Sequence, residues 1–582
     1  MTTTRSGFTK LAAVCIAILL GAVVWELGWP LTRAEHEWSR LIAAVATLGH
    51  LTGILGSYFR KEINRPSLRL LIFQIISCLM IFLLIAREQQ EAGYMRFKEL
   101  SRLVITAGLI AIPTLMSLTR IFEWLVGKQK KGRPLMAPAM QFVASLGVVI
   151  LAGTGLLLLP NSTYPGITLS FTDALFTSTS AVCVTGLNAV DFAHTFTPLG
   201  EMFTLALIQI GGFGIMTFAY FVAMVAGQGF SLRDRVLLTD LLDEDNLGAV
   251  VSFITTIVVS TLFIELCGTV LLYFSWEGKD INLMGEPLWW HSLFHSVSAF
   301  CNAGFSTFPM NLMEPGIRLC YSGQAVIMAL IVCGGLGFGI YKEINSRLAN
   351  RFFSKHRRLH MQWTPYFKLV MISTGILLAG GALAIFAVSS PHAAEPLGEH
   401  LWICLFDSVE ARTAGFNISD YGRYLPAASL IMCGLMMVGG SPGGTAGGMR
   451  TTTCAIAGAE ILRILRGRDH VEFFRRRIDQ RTVARCVITV VVSCAWIGCF
   501  TVLICALEPS MSSLDIFFEN CSAFATVGVS RGITPDLSGP SKYLLIVNML
   551  SGRVGLFAFL IALAGTPTPR HYRYPSVKIP LT

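Results

Sequence analysis

Four short stretches of this chain share one grammar: an aromatic start, a run of small polar residues, and one glycine at the end. They read Leu175-Phe-Thr-Ser-Thr-Ser-Ala-Val-Cys-Val-Thr-Gly186, Leu293-Phe-His-Ser-Val-Ser-Ala-Phe-Cys-Asn-Ala-Gly304, Leu405-Phe-Asp-Ser-Val-Glu-Ala-Arg-Thr-Ala-Gly415 and Phe517-Phe-Glu-Asn-Cys-Ser-Ala-Phe-Ala-Thr-Val-Gly528. The third is shorter by one residue. Each stands between long apolar runs and is too short to span a bilayer, so it must enter and return. Non-helical backbone at that depth is tolerated only where it is buried in protein or lines a wet cavity. Four such segments meeting on one axis make a ring of backbone carbonyls, which can replace an ion's water shell. Glycine serves where the backbone needs dihedrals that a Cβ opposes. Half-helices that point their C-terminal ends at the ring favour cations over anions.

Two further features concern the same axis. After the third stretch the chain runs Gly439-Gly-Ser-Pro-Gly-Gly-Thr-Ala-Gly-Gly-Met-Arg-Thr-Thr-Thr453, with Gly439, Gly440, Gly443, Gly444, Gly447, Gly448 and one proline. No helix continues through that composition. Apolar half-helices are expected on either side, Leu425 to Val438 and Cys454 to Leu465, so the break falls near mid-membrane and must face water. It reads either as a gate or as a structural kink. Arg553 lies inside the last apolar run; a charge at that depth should face a cavity or a partner. Among other ionisable residues, Glu265 reads as a structural hydrogen-bonder and His295 as a packed polar residue. Asp173, Asp407, Glu410 and Glu519 either concentrate cations at the mouth or cap helix starts.

The elements that hold these residues are apolar spans. Of 582 residues, 53% are hydrophobic and 14% charged, where a soluble domain carries about a quarter charged. An all-α polytopic membrane protein is the class that fits. Spans are expected near 138–160, 203–227, 249–275, 322–343, 367–389, 425–467 (interrupted), 484–507 and 541–565, with four more at 8–29, 41–58, 69–86 and 102–126. The first apolar run, Leu11 to Trp25, has no convincing cleavage site and reads as a retained helix. The net charge of +10 is spread over short basic clusters between apolar runs, the positive-inside pattern, and argues against nucleic-acid binding. It puts both termini in the cytoplasm, with loop 87–102 as an exception. The 15 cysteines show no metal-ligand spacing and behave as small apolar residues.

The motifs resemble the Trk/Ktr/HKT superfamily of K⁺ transporters, and most of all its Ktr-type membrane subunit. The resemblance rests on Thr-Ser-Ala-Val-Cys-Val-Thr-Gly-Leu at 179–187, Ile-Gln-Ile-Gly-Gly-Phe-Gly at 208–214, Asn-Ala-Gly-Phe-Ser at 302–306, Arg-Thr-Ala-Gly-Phe-Asn at 412–417 and Ala-Thr-Val-Gly-Val-Ser at 525–530, and it covers about 138–565. It implies four helix–pore loop–helix units around one pore, with K⁺ at a selectivity filter of Gly186, Gly304, Gly415 and Gly528. It implies that carbonyls of Val184, Thr185, Asn302, Ala303, Thr413, Ala414, Thr526 and Val527 coordinate the ion. With one glycine per loop, weak discrimination against Na⁺ is expected. The resemblance makes the 439–448 stretch an intramembrane gating loop and Arg553 an electrostatic barrier that holds it, with Arg412 bracing the third turn. It further implies a homodimer and a separate KtrA/TrkA-like cytosolic ring carrying the regulatory nucleotide (ATP/ADP or NAD), docked on the basic loops 342–363 and 463–485 and the tail. No cofactor is expected on this chain.

The expected organisation is an N-terminal region 1–133, pore repeats 134–228, 229–345, 346–470 (with the gating loop) and 471–567, and a cytoplasmic tail 568–582. The N-terminal spans depart from the Ktr pattern. Two rival classes are weighed against this reading. A Na⁺- or H⁺-coupled secondary transporter favours inverted repeats, whereas these four share one orientation. A membrane enzyme needs a His, Asp or Glu cluster at one face, which is absent from the sequence pattern. Gly-Gly-Phe-Gly at 211–214 is no dinucleotide loop, because no βαβ unit follows it.

Overall fold

The computed structural model describes residues 138–214, 249–353, 363–389 and 396–564, with scattered positions between 14 and 52. The spans expected at 8–29 and 41–58 fall on those scattered positions; those at 69–86 and 102–126, and the tail, lie outside the described residues.

The described chain is helical, apart from one two-stranded hairpin, β1 (Glu472–Phe473) and β2 (Arg476–Arg477). It builds one three-part unit four times. The first helices are α1 (Pro138–Leu157), α4 (Ala249–Trp276), α8 (Pro365–Val388) and α12 (Gln480–Leu507). The short central helices are α2 (Phe171–Val182), α5 (Leu288–Cys301), α9 (Leu397–Glu410) and α13 (Ser513–Ala525). The third parts are α3 (Pro198–Phe213); α6 (Tyr321–Leu336) with α7 (Phe338–Phe353); α10 (Pro426–Met437) with α11 (Thr451–Leu465); and α14 (Gly539–Val554) with α15 (Leu556–Ala564). Starts follow local chemistry. Proline opens α3, α8 and α10, where its missing N–H costs nothing, and Thr197 and Thr364 cap the first two.

Segments Phe253–Trp276, Pro365–Val388 and Gln480–Leu507 are long and apolar enough to cross a membrane, and no more than 33% of any is buried in protein. The rest faces outward as apolar surface such as Phe263, Phe274 and Val502, which suits lipid and not water.

Lipid gives helices no hydrophobic reason to associate, so close packing and hydrogen bonds must hold them. The same clasp recurs in every unit. Ser178 Oγ donates to the Ile150 carbonyl at 2.8 Å, Ser296 Oγ to Glu265 at 2.7 Å, Ser408 Oγ to Leu378 at 2.8 Å and Asn520 Nδ2 to Ile497 at 2.8 Å. Three residues beyond each accepting carbonyl stand Gly153, Gly268 and Gly381, whose missing side chains admit the serines. The fourth unit has Phe500 there and the longer Asn520 instead of serine.

The third parts are not the continuous spans expected at 203–227, 322–343 and 541–565. Helix α3 stops at Gly214 (φ +76°), α6 and α7 meet at Gly337 (φ +90°) with a bend of 94°, and α14 gives way to α15 at Gly555 (φ +89°). Three residues before each break, a Cβ on Gly211, Gly334 or Gly552 would collide with the carbonyl of Val182, Phe300 or Phe524, so these glycines seat the third part against the end of the central helix. The break seen in sequence only at 439–453 thus recurs in the second and fourth units, and in the first α3 ends at the corresponding glycine, Gly214.

Candidate functional site

The four central helices converge through their C-terminal turns, and each turn is built alike. The amide of Thr185 bonds the Ser180 carbonyl at 2.7 Å, Ala303 bonds Ser298 at 2.7 Å and Val527 bonds Ser522 at 2.9 Å; in the shorter third stretch Ala414 bonds Glu410 at 3.2 Å. This closure requires a left-handed residue just before the bonded amide, a place usually taken by glycine. Here Val184 (φ +57°), Asn302 (+60°), Thr413 (+74°) and Thr526 (+53°) occupy it, three of them β-branched. Such backbone costs on the order of 1–3 kcal/mol per residue and persists only where its surroundings impose it.

Two residues later come Gly186, Gly304, Gly415 and Gly528, all at positive φ. A Cβ on Gly304 would stand 2.5 Å from the Ala414 carbonyl oxygen and 2.5 Å from Gly415 Cα. On Gly415 it would stand 2.9 Å from the Val527 oxygen; on Gly528 it would strike the Thr185 oxygen, and on Gly186 the Ala303 oxygen. Each glycine therefore faces the carbonyl of the next unit, in the closed order one, two, three, four, one. The Gly186 and Gly528 amides are held from behind by Ser180 Oγ (3.0 Å) and Ser522 Oγ (3.1 Å). With amides turned into the protein, the carbonyls of Thr185, Ala303, Ala414 and Val527 accept no backbone hydrogen bond among the described residues. All twelve residues expected from sequence are brought together.

The acids behind the turns do structural work. Asp173 closes the N-terminal turn of α2 with Ser170 and pairs with Lys542. Asp407 accepts from Tyr421 Oη at 2.9 Å and from Tyr424. Glu519 accepts from Ser530 Oγ at 2.5 Å, the Arg531 amide at 2.9 Å and Thr534 Oγ1 at 2.9 Å. His295 packs on Phe308 and bonds Ser306 Oγ at 2.9 Å. Glu265 accepts both bonds from Gln209 at 3.1 Å. Glu410 is fully buried and has no hydrogen-bond partner among the described residues, which neither sequence reading anticipates.

The 439–450 segment lies directly against the turns. Its Ser441 and Thr445 amides bond the carbonyls of Gly335 (2.9 Å) and Gly334 (3.2 Å), satisfying the open end of α6, and its Gly443 carbonyl accepts from the Phe338 amide at 3.0 Å. A Cβ on Gly447 would hit the Thr526 side chain, and one on Gly448 would stand 3.0 Å from Ala525 Cα. Three arginines hold its carbonyls. Arg553 bridges Thr445 and Gly211; Arg450 reaches Ala446 at 2.5 Å; Arg412 reaches Gly439 at 3.3 Å. Tyr366 Oη adds a bond to Pro442 at 2.9 Å. Arg450 and Tyr366 escaped the sequence reading, although Arg450 stands inside the glycine-rich motif itself.

A second ring of contacts locks the units to one another. Glu201, Gln324, Ser429 and Lys542 stand at equivalent positions, ten residues before Gly211, Gly334, Gly439 and Gly552. Three reach the central helix of the next unit directly, and Ser429 reaches it through Arg531, which pairs with Asp515 of α13. Trp290 Nε1 donates to Glu201 at 2.7 Å and Trp402 Nε1 to Gln324 at 2.6 Å. Ser429 accepts from Arg531 at 2.6 Å while Arg531 pairs with Asp515 at 2.6 Å, and Lys542 pairs with Asp173 at 2.8 Å.

The TrkH family of cation transport proteins matches residues 106–574. The chain belongs to this family. It is a transport protein, not an enzyme. Among curated relatives it is 34% identical to the Ktr system potassium uptake protein B of Bacillus subtilis (strain 168), over 74% of this chain and 94% of that protein. It is 32% identical to the potassium/sodium uptake protein NtpJ of Enterococcus hirae, over 78% and 99%. The crystal structure of the potassium transporter TrkH from Vibrio parahaemolyticus superposes with a TM-score of 0.59 at 18% identity, covering 85% of this chain and 97% of that one. That likeness bears on the fold alone, a multi-pass helical membrane protein.

Proposed function

We propose that this chain is the K⁺-translocating subunit of an uptake system in the cytoplasmic membrane. The observation that carries the proposal is the closed cycle in which Gly186, Gly304, Gly415 and Gly528 each face the carbonyl of the following unit. Carbonyls of residues 184–186, 302–304, 413–415 and 526–528 form the filter and stand in for the ion's water shell. The negative ends of α2, α5, α9 and α13 make the approach favourable for a cation.

The 439–448 segment is the gate. Arg553 both ties it down and sets a positive barrier beneath the filter; Arg450 and Arg412 share the restraint. Opening breaks carbonyl bonds of the segment while the turns stay fixed, so flux changes without a change in ion preference. The units run 134–228, 229–345, 346–470 and 471–567, both termini are cytoplasmic, and the protein works as a homodimer under a cytosolic nucleotide-binding ring. These last points rest on kinship with the Ktr system proteins.

Na⁺ is a second permeant ion in this reading. One glycine per turn leaves few stacked carbonyl layers, and the relative NtpJ is named for both ions. The deciding experiment is rescue of a K⁺-uptake-deficient cell, with and without a cytosolic ring, followed by ⁸⁶Rb⁺ influx into proteoliposomes. Reversal potentials in mixed K⁺/Na⁺ then give the preference. Failure of the purified, folded protein to carry Rb⁺ down its gradient overturns the proposal.

A further inference from the structure

The segment joining α11 to α12 is built for more than topology. Between Arg466 and Arg485 there are seven arginines, three acidic residues and no lysine. Guanidinium presents a planar fork that matches phosphate oxygens in pairs, which an ammonium cannot do. Positive-inside bias requires only charge and would be met by either residue.

The segment also has a fixed shape. Strands β1 and β2 pair Glu472 with Arg477 and Phe473 with Arg476, leaving Phe474 and Arg475 as a two-residue turn. Both take positive φ, +50° and +63°, the geometry that hairpins ordinarily give to Asn-Gly. The turn therefore accepts strain in order to present an aromatic and an arginine at its tip. Phe474 remains 40% exposed, and Lys368, from the first turn of α8, sits 5.8 Å from its ring centre. The contact pins the tip beside the start of one span, Pro365–Val388, and the hairpin ends at the start of another, Gln480–Leu507. Arg475, Arg476 and Arg477 are exposed and carry no ion pair among the described residues. Immediately before the arginines, the end of α11 offers an outward apolar wall, with Ile461, Ile464 and Leu465 exposed by 60%, 62% and 76%.

We infer that the hairpin and the end of α11 form a binding site for an anionic phospholipid: its phosphate lies on Arg475–Arg477 and its acyl chains on the α11 wall. Exposed guanidiniums that follow an outward apolar strip in the chain, between two membrane-spanning segments, fit a lipid better than a soluble protein surface, which would leave the strip unused. Because α11 continues directly from the 439–450 segment, an occupied site steadies the helix on which that segment is hung. The site rests on the membrane-spanning architecture and not on ion translocation.

The test uses full-length protein, titrated with phosphatidylglycerol or with phosphatidylcholine and read by native mass spectrometry of retained lipid. The wild type should retain phosphatidylglycerol in preference to phosphatidylcholine. The triple variant R475Q/R476Q/R477Q should lose that preference by about tenfold or more, and R475K/R476K/R477K should fall between, since charge survives and the fork is lost. A thermal profile matching the wild type certifies the fold of each variant. Undiminished retention by the triple-Gln variant overturns the inference. So does retention that is unchanged while response to a cytosolic nucleotide-binding ring is lost, which would assign the hairpin to a protein partner. Lipid retention is read without flux, so its failure leaves the ion-pathway reading untouched.

Discussion

Lys542 Nζ lies 2.8 Å from Asp173 Oδ1, joining the last unit of the chain to the first across 369 residues of sequence. Without it the ring of clasps made by Trp290, Trp402 and Arg531 would be an open chain. The two side chains are 10% and 21% exposed, so the pair is largely shielded from water and salt.

A double-mutant cycle with Lys542→Met and Asp173→Asn should therefore give a coupling energy of about 1–2 kcal/mol, above the range of exposed pairs. Denaturation in detergent measures it. Additive effects of the two substitutions would show that the ring is closed by other contacts.

Gly304→Ala should abolish Rb⁺ influx in protein that still folds. The substitution sets a Cβ 2.5 Å from two backbone atoms of the next unit and adds left-handed strain of about 1–2 kcal/mol. Gly434→Ala is the control: this α10 glycine has nothing within 4 Å, and alanine there should stabilise by up to about 1 kcal/mol with flux intact. Equal outcomes for the two would deny the turns any special part.

Arg553→Ala should raise influx with ion preference unchanged. It removes two charge-assisted bonds, to Thr445 and Gly211, each worth about 1.5–3 kcal/mol. Arg553→Lys cannot bridge both carbonyls and should give an intermediate rate. Tyr366→Phe deletes one neutral donor to Pro442, worth about 0.5–1.5 kcal/mol, and should raise influx less. Slower flux in a well-folded Arg553→Ala protein would contradict the restraint.

Glu508, beyond the end of α12, accepts from the Ser538 amide at 2.8 Å and Ser541 Oγ at 2.7 Å, and these bonds hold its carboxyl below its ordinary value. A depressed folded-state value means that the ionised form favours the fold. The contribution is complete above the usual carboxylate value of about 4.3 and is lost as pH falls through the folded one. Glu508→Gln should thus melt below wild type at pH 7, and the gap should close in acid. A gap independent of pH would mean that packing, not charge, accounts for it.

The four central stretches were legible because small polar residues ending in one glycine have no other use between apolar spans, and four copies rule out coincidence. The break at 439–450 was legible from composition: six glycines and a proline cannot remain helical. The breaks at Gly214, Gly337 and Gly555 were missed because a single glycine in an apolar run is compatible with a continuous helix. Only contact with the Val182, Phe300 and Phe524 carbonyls gives those glycines their meaning. The left-handed Val184, Thr413 and Thr526 were unreadable in principle, since β-branched residues disfavour that conformation and only the surrounding turn imposes it.

By itself, then, the sequence determined a membrane-embedded helical chain, its fourfold repetition and the residues gathered at the axis, because apolar length and glycine placement act locally. The tertiary structure alone decided which carbonyl faces which glycine, which arginine holds the glycine-rich segment, and how the fourth unit closes on the first. Most of these relations join residues a hundred or more positions apart, such as Arg553 and Thr445 or Lys542 and Asp173, and their partners are chosen by backbone geometry that residue type does not encode.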